Sequence, residues 1–145
     1  MHIYPHKLRI LTPPKDNLTA AIRDSKLTLH EGDIVAVSSK VVSIGEGRTV
    51  PIGTIAKEEL VRREASWYRD VPKSRYRRLF TIADGVLVGA SGVDESNGAG
   101  HYILYPKEPM KSARTLHTWL KRTYSVDRLG VIITDSTSIP LRRGA

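Results

Sequence analysis

A single α+β domain is the fold class this sequence predicts, and three observations predict it. Short apolar runs at 34–37, 79–82, 86–90 and 129–133 have strand length, and they mix irregularly with stretches of helical spacing. Ala83-Asp84-Gly85 stands between two of those runs, and Asp-Gly in that setting marks an antiparallel hairpin. The chain has 145 residues with a hydrophobic fraction of 40%, enough for one domain (1–145) with a core of its own. The expected architecture is one mixed sheet with flanking helices, an α+β or mixed α/β arrangement.

In chain order, Ile3 to Leu11 alternates loosely and ends at Thr12-Pro13-Pro14, which reads as an opening strand that prolines stop. Asp16 is then the expected cap of a short helix whose apolar stripe is Leu18, Ala21 and Ile22. Glu31-Gly32-Asp33 is a turn, and Ile34-Val35-Ala36-Val37 reads as a strand buried on both faces. It delivers Ser38, Ser39 and Lys40 at its end. Val41-Val42 continue the apolar character up to a turn-forming stretch, Gly45-Glu46-Gly47-Arg48.

Lys57 to Arg69 reads as a helix with Leu60, Val61, Ala65 and Trp67-Tyr68 on its apolar side, stopped by Pro72. The hairpin pairs Leu79–Ile82 with Val86–Ala90 and runs into the acidic loop Gly92-Val93-Asp94-Glu95-Ser96-Asn97. After the turn Asn97-Gly98-Ala99-Gly100 comes a short apolar segment, His101 to Tyr105, closed by Pro106 and Pro109. Ser112 to Thr123 has the strongest helical pattern, with Ala113, Leu116, Trp119 and Leu120 on one face and Lys121 and Arg122 near the C-terminal end. Leu129 to Ile133 is a buried-type strand that leads to Thr134-Asp135-Ser136-Thr137.

Composition narrows the function classes. No Cys is present, so disulfide frameworks and thiolate metal sites are excluded. The first residues hold no apolar run of signal-peptide length, and no segment approaches the roughly 20 apolar residues that span a bilayer. The cytoplasm is the expected compartment. A formal charge of +8, from 23 Lys and Arg against 15 Asp and Glu, favours anionic partners. Its densest stretch holds Arg62, Arg63, Arg69, Lys73, Arg75, Arg77 and Arg78, for which a solvated helix face is the commoner explanation.

Three polar clusters stand at strand ends: Ser38-Ser39-Lys40, Asp94 with Asn97, and Asp135-Ser136. Carboxylates beside hydroxyl and amide groups suit a hard cation such as Mg²⁺ or Mn²⁺, and such ions commonly accompany phosphates. Lys40 could neutralise phosphate charge while the glycine-rich turns let backbone N–H groups approach oxygen atoms. Each cluster taken singly is ordinary turn chemistry. Arg142-Arg143-Gly144 follows the second acidic loop with guanidinium groups suited to phosphate or carboxylate. The histidines have no partner at ligand spacing, and neither a Walker A nor a GxGxxG pattern is present.

These segments together resemble a known family, the gamma-glutamyl ligases represented by the coenzyme F-420 ligase, which adds glutamate to a deazaflavin cofactor precursor. The likeness rests on Glu31-Gly32-Asp33 with its strand, Ser38-Ser39-Lys40-Val41-Val42-Ser43 leading to Gly45-Glu46-Gly47-Arg48, Gly92 to Asn97, and Val131 to Ser136 leading to Arg142-Arg143-Gly144. The wording of Asp94 to Asn97, Tyr102 to Lys107 and Pro140 to Gly144 is similar to a branch of folate-metabolism gamma-glutamate ligases. The resemblance implies a GTP- or ATP-dependent amide ligase that works as a homodimer with Mn²⁺ or Mg²⁺ and joins L-glutamate to a carboxylate acceptor.

Carried across by residue, the likeness implies that Asp94 and Asp135 are catalytic metal ligands and that Ser136 takes a position usually held by a metal-binding Thr. It also implies nucleotide contacts at Ser39, Lys40 and Asn97. Two departures stand out. Ile44 replaces a nucleotide-contacting lysine, and the family continues for about another hundred residues, a further domain-sized segment. The chain therefore reads as the N-terminal portion of such a ligase with the C-terminal segment absent, or as a short natural relative. The competing expectation is a noncatalytic basic module of the same fold that contacts nucleic acid or a partner protein through the 62–78 region.

Overall fold

The computed structural model describes residues 2–70 and 79–136. Its elements, in order, are α1 (Leu18–Asp24), β1 (Ile34–Ser38), α2 (Ser39–Glu46), β2 (Thr49–Pro51), α3 (Lys57–Glu64), β3 (Trp67–Arg69), β4 (Phe80–Ala83), β5 (Val86–Gly89), β6 (His101–Ile103), α4 (Pro109–Tyr124) and β7 (Gly130–Thr134). The α+β class holds, with the described strands distributed over three small sheets. β1 and β7 pair in parallel, Ile34 opposite Gly130 through Ser38 opposite Thr134. β2 and β6 pair antiparallel, and β3-β4-β5 form an antiparallel sheet.

Local chemistry accounts for most boundaries. The Asn17 side chain accepts from the Ala20 N–H at 2.9 Å and caps α1. Gly47 ends α2 at φ 73°, a left-handed cap that a side chain would disfavour. In the central hairpin Asp84 and Gly85 have φ 50° and 73°, the two positive values that a tight turn between twisted strands requires. α4 begins with Pro109, whose missing N–H costs nothing in a first turn.

One apolar stripe of α4 lies on one face of the β1–β7 pair. Leu116 and Leu120 join Ile22 of α1 there, with Val35, Val37 and Val131 packed against them. A second cluster unites Leu11, Ala21, Ile44 and Ile103, and a third unites Leu60, Val61, Val93, Tyr102 and Leu104. Burying each of the Val, Leu and Ile side chains contributes roughly 1.5–3 kcal/mol. No helix among the described residues is long and apolar enough to cross a membrane.

Several expectations are corrected. Ile3 to Leu11 forms no strand; Ile3 and Ile10 are exposed, and only Leu8 and Leu11 reach the core. Asp16 is not the cap of α1, because Arg9 takes both its oxygens at 2.7 Å. β1 is not buried on both faces, since Ile34 and Ala36 are exposed on the side away from α4. Residues 39–46 are a helix where an apolar run and a turn were expected; the adjacent Val41-Val42 and Gly45 mask its period. The expected helix 57–69 ends at Glu64, where Ala65 turns extended and Ser66 donates its N–H to the Ile82 carbonyl at 2.8 Å. Trp67 to Arg69 then form β3, because pairing with β4 outweighs helical spacing.

Candidate functional site

The end of β1 and the end of β7 lie side by side because those strands pair in parallel, which brings the 38–40 and 134–136 segments together. Ser39 opens α2, is buried, and donates its hydroxyl hydrogen to Asp135 Oδ1 at 2.8 Å. Its neighbour Lys40 reaches the other acidic loop, where the ammonium bonds Asp94 Oδ2 and lies 3.1 Å from Ser96 Oγ. Asp94 is fixed by its backbone, which exchanges bonds of 2.8 and 2.7 Å with Ile103 of β6. The Ser96 N–H donates to Asp94 Oδ1 at 2.7 Å. Burial pushes the Asp94 carboxyl up, but the bonds from Lys40 and Ser96 outweigh it and hold the group below its ordinary value.

The turn before Asp94 is unusual. Ala90, Ser91 and Gly92 have φ of 51°, 50° and 71° in succession, a left-handed backbone that costs energy at Ala90 and Ser91. Buried hydrogen bonds hold it at Ser91, whose N–H donates to Thr81 Oγ1 at 2.8 Å and whose hydroxyl donates to the Val61 carbonyl at 2.9 Å. The Tyr105 ring closes over Gly92, where an added Cβ would lie 2.2 Å from a ring carbon.

These groups surround a cavity of about 520 Å³, within the usual range for small-molecule sites. One end is polar, lined by Ser39, Lys40, Asp94, Asp135 and Ser136. Much of the remaining lining is apolar, with Val61, Leu79, Val88, Ala90 and Val93 among it, together with Lys57 and Glu58 of α3. Lys57 pairs with Glu95 at 3.1 Å.

The expected residues fall into three groups. Ser39, Lys40, Asp94, Asp135 and Ser136 share the cavity wall. Asn97 is exposed in the following turn at φ 59° and is not among the lining residues. Arg142 and Arg143 lie outside the described residues, as do Lys73, Arg75, Arg77 and Arg78 of the basic stretch. Within that stretch, Arg62 lies 3.5 Å from Asp70 and Arg63 lies 2.6 Å from Glu59. Ile44, which stands where the resemblance implied a lysine, is buried with Leu11, Ala21 and Ile103. Nothing in the sequence marks Lys57, Leu79 and Val88 as cavity-lining residues, and only tertiary proximity reveals them.

No group of three or more acidic or imidazole side chains that could hold a metal ion occurs among the described residues. The donor set is nonetheless of the right kind for a hard cation. Asp94 and Asp135 offer carboxylate oxygens, Ser136 and Ser39 offer hydroxyls, and the Lys40 ammonium already rests among oxygen atoms as a stand-in cation.

An α+β domain with a cavity walled by acids, hydroxyls and apolar side chains is suited to a charged ligand with an apolar part. Comparison with known proteins makes the class specific. The family model described as F420-0:Gamma-glutamyl ligase matches residues 9–145, and the chain belongs to that family. Coenzyme F420:L-glutamate ligase of Methanopyrus kandleri is 32% identical, covering 99% of this chain and 63% of the relative. The protein of that name from Halobacterium salinarum is 29% identical over 89% of this chain and 57% of the relative. The one from Methanosarcina acetivorans is 31% identical over 82% and 52% respectively. The chain thus spans 52% to 63% of the length of these curated relatives.

Proposed function

We propose that the chain is the nucleotide- and metal-binding portion of a gamma-glutamate ligase that forms an amide through an acyl phosphate. The observation that carries this reading is the convergence of Ser39–Asp135 and Lys40–Asp94 on one cavity, joining segments 96 and 54 to 56 positions apart at its polar end. GTP or ATP is the phosphoryl donor in this reading, L-glutamate the amine, and a small carboxylic acid the acceptor.

An acceptor carboxylate oxygen attacks the γ-phosphorus, an O–P bond forms, and the bond to the leaving nucleoside diphosphate breaks. The glutamate nitrogen then attacks the acyl carbon, a C–N bond forms, phosphate leaves, and the nitrogen gives up a proton. Asp94 and Asp135, with the Ser136 hydroxyl, would hold Mg²⁺ or Mn²⁺, which supplies charge to stabilise phosphate oxygens when bound. Lys40 would meet phosphate oxygens as a point charge in this reading. In this reading the apolar lining residues Val61, Leu79 and Val88 would limit the water that competes with the amine for the acyl carbon.

Equilibrium titration with GTP or ATP and Mn²⁺ tests the reading. Metal-dependent binding is expected, and Asp94→Ala should abolish it. Absence of nucleotide binding by the parent chain would overturn the proposal. Salt-sensitive binding to arbitrary RNA, unchanged by Asp94→Ala, would favour the basic module instead. A homodimer belongs to the same reading and is checked by sedimentation.

A further inference from the structure

We propose that Lys40 is an exchangeable counter-ion: its ammonium and a divalent cation compete for Asp94, so that an entering cation displaces Lys40 and frees its charge for the nucleotide phosphates. The inference rests on the ligase reading and adds an order of events to it. Asp94 has two oxygens with different occupants. Oδ1 accepts the Ser96 N–H at 2.7 Å, which ties that oxygen to its own loop. Oδ2 is the one that Lys40 holds, and the Ser96 hydroxyl oxygen lies 3.1 Å from the same ammonium.

A cation binding directly to Oδ2 from the cavity would meet the ammonium at close range. Two cations cannot share one carboxylate oxygen without strong repulsion, so one must leave. Lys40 can do so at little cost. It is about one-third exposed, its stem is flexible, and its backbone is fixed in α2 beside Ser39, which keeps hold of Asp135.

Charge accounting shows what the exchange accomplishes. Lys40 with Asp94 and Asp135 sums to one negative charge, which repels a phosphate. With a divalent cation on the carboxylates, the same group sums to one positive charge, carried by a lysine that has lost its partner. Nucleotide affinity is thereby made conditional on the metal. Lys57 provides an internal contrast, because it borders the same cavity but pairs with Glu95.

The test measures Mn²⁺ alone, by paramagnetic resonance of the free ion, against the full chain and its Lys40→Met, Lys57→Met and Asp94→Asn variants. Lys40→Met should bind Mn²⁺ about tenfold more tightly than the parent, with Lys57→Met changed by no more than about twofold. At saturating Mn²⁺, Lys40→Met should bind GTP more weakly. Unchanged or weaker Mn²⁺ binding by Lys40→Met would overturn the exchange, as would an equal gain in Lys57→Met, which would reveal only a general field. If the parent binds no Mn²⁺, or Asp94→Asn binds it as well as the parent, the metal reading fails as well. Thermal melts confirm folding, and Lys40→Gln replaces the Met variant if that one is unstable.

Discussion

Gly92 shows how a single position constrains the candidate site. Its φ of 71° and the Tyr105 ring, 2.2 Å from where a Cβ would stand, oppose a side chain for two separate reasons. Gly92→Ala should therefore destabilise the chain by about 2 kcal/mol or more, read from urea unfolding. Because the turn leads directly to Asp94, the same variant should also weaken Mn²⁺ binding. Much of the polar site was legible residue by residue: Asp94, Asp135, Ser39 and Lys40 stand out as acids, hydroxyls and an amine after apolar runs. The strained turn was not, since Ala90 and Ser91 have no intrinsic preference for left-handed backbone, and Ser91 is held by bonds to Thr81 and Val61, 10 and 30 positions earlier.

At the scale of elements, the hairpin and α4 were readable because their signals are local: Asp84-Gly85 in one case, a four-turn apolar stripe in the other. The 57–69 stretch reads as one helix because its apolar spacing continues past Glu64, although its backbone finds a strand partner in β4. The sequence marks helix α1 but points to Asp16 as its cap, one residue before the Asn17 that caps it. That distinction predicts different outcomes. Asn17→Ala removes the bond to the Ala20 N–H and should cost about 1 kcal/mol, measured by thermal or urea unfolding. Asp16→Asn should act instead through the ion pair with Arg9 that ties the N-terminal segment to the helix entrance.

For the whole molecule, the depressed carboxyls set the response to acid. Asp16 is lowered by Arg9 and then by the Thr12 and Asn17 N–H groups, and Glu31 by the Asp127 and Arg128 N–H groups. Asp94 is lowered despite its burial. A carboxyl whose folded value lies below its unfolded value of about 4 contributes stability above that value and loses it as pH falls through the folded one. The melting temperature should accordingly decline as pH is lowered from about 5 toward 2, and Asp16→Asn should flatten part of that decline. The fold class was legible because strand-length and helix-length patterns coexist. The division into three sheets was not, since it depends on which strands meet across long separations.

The parallel pairing of β1 with β7 also governs when the site can exist. Ser38 and Thr134 are register partners, so the polar end of the cavity closes only after nearly all of the described chain is available. As the protein emerges from the ribosome, the hairpin and the α1–α2 region can form from local contacts, whereas the Ser39–Asp135 bond must await closure of a loop of 96 positions, among the longest between described residues. Assembly of this end of the cavity thus reports closure of the β1–β7 ladder: pulse-labelled hydrogen exchange should find β1 amides protected late, together with those of β7 and after those of the central hairpin.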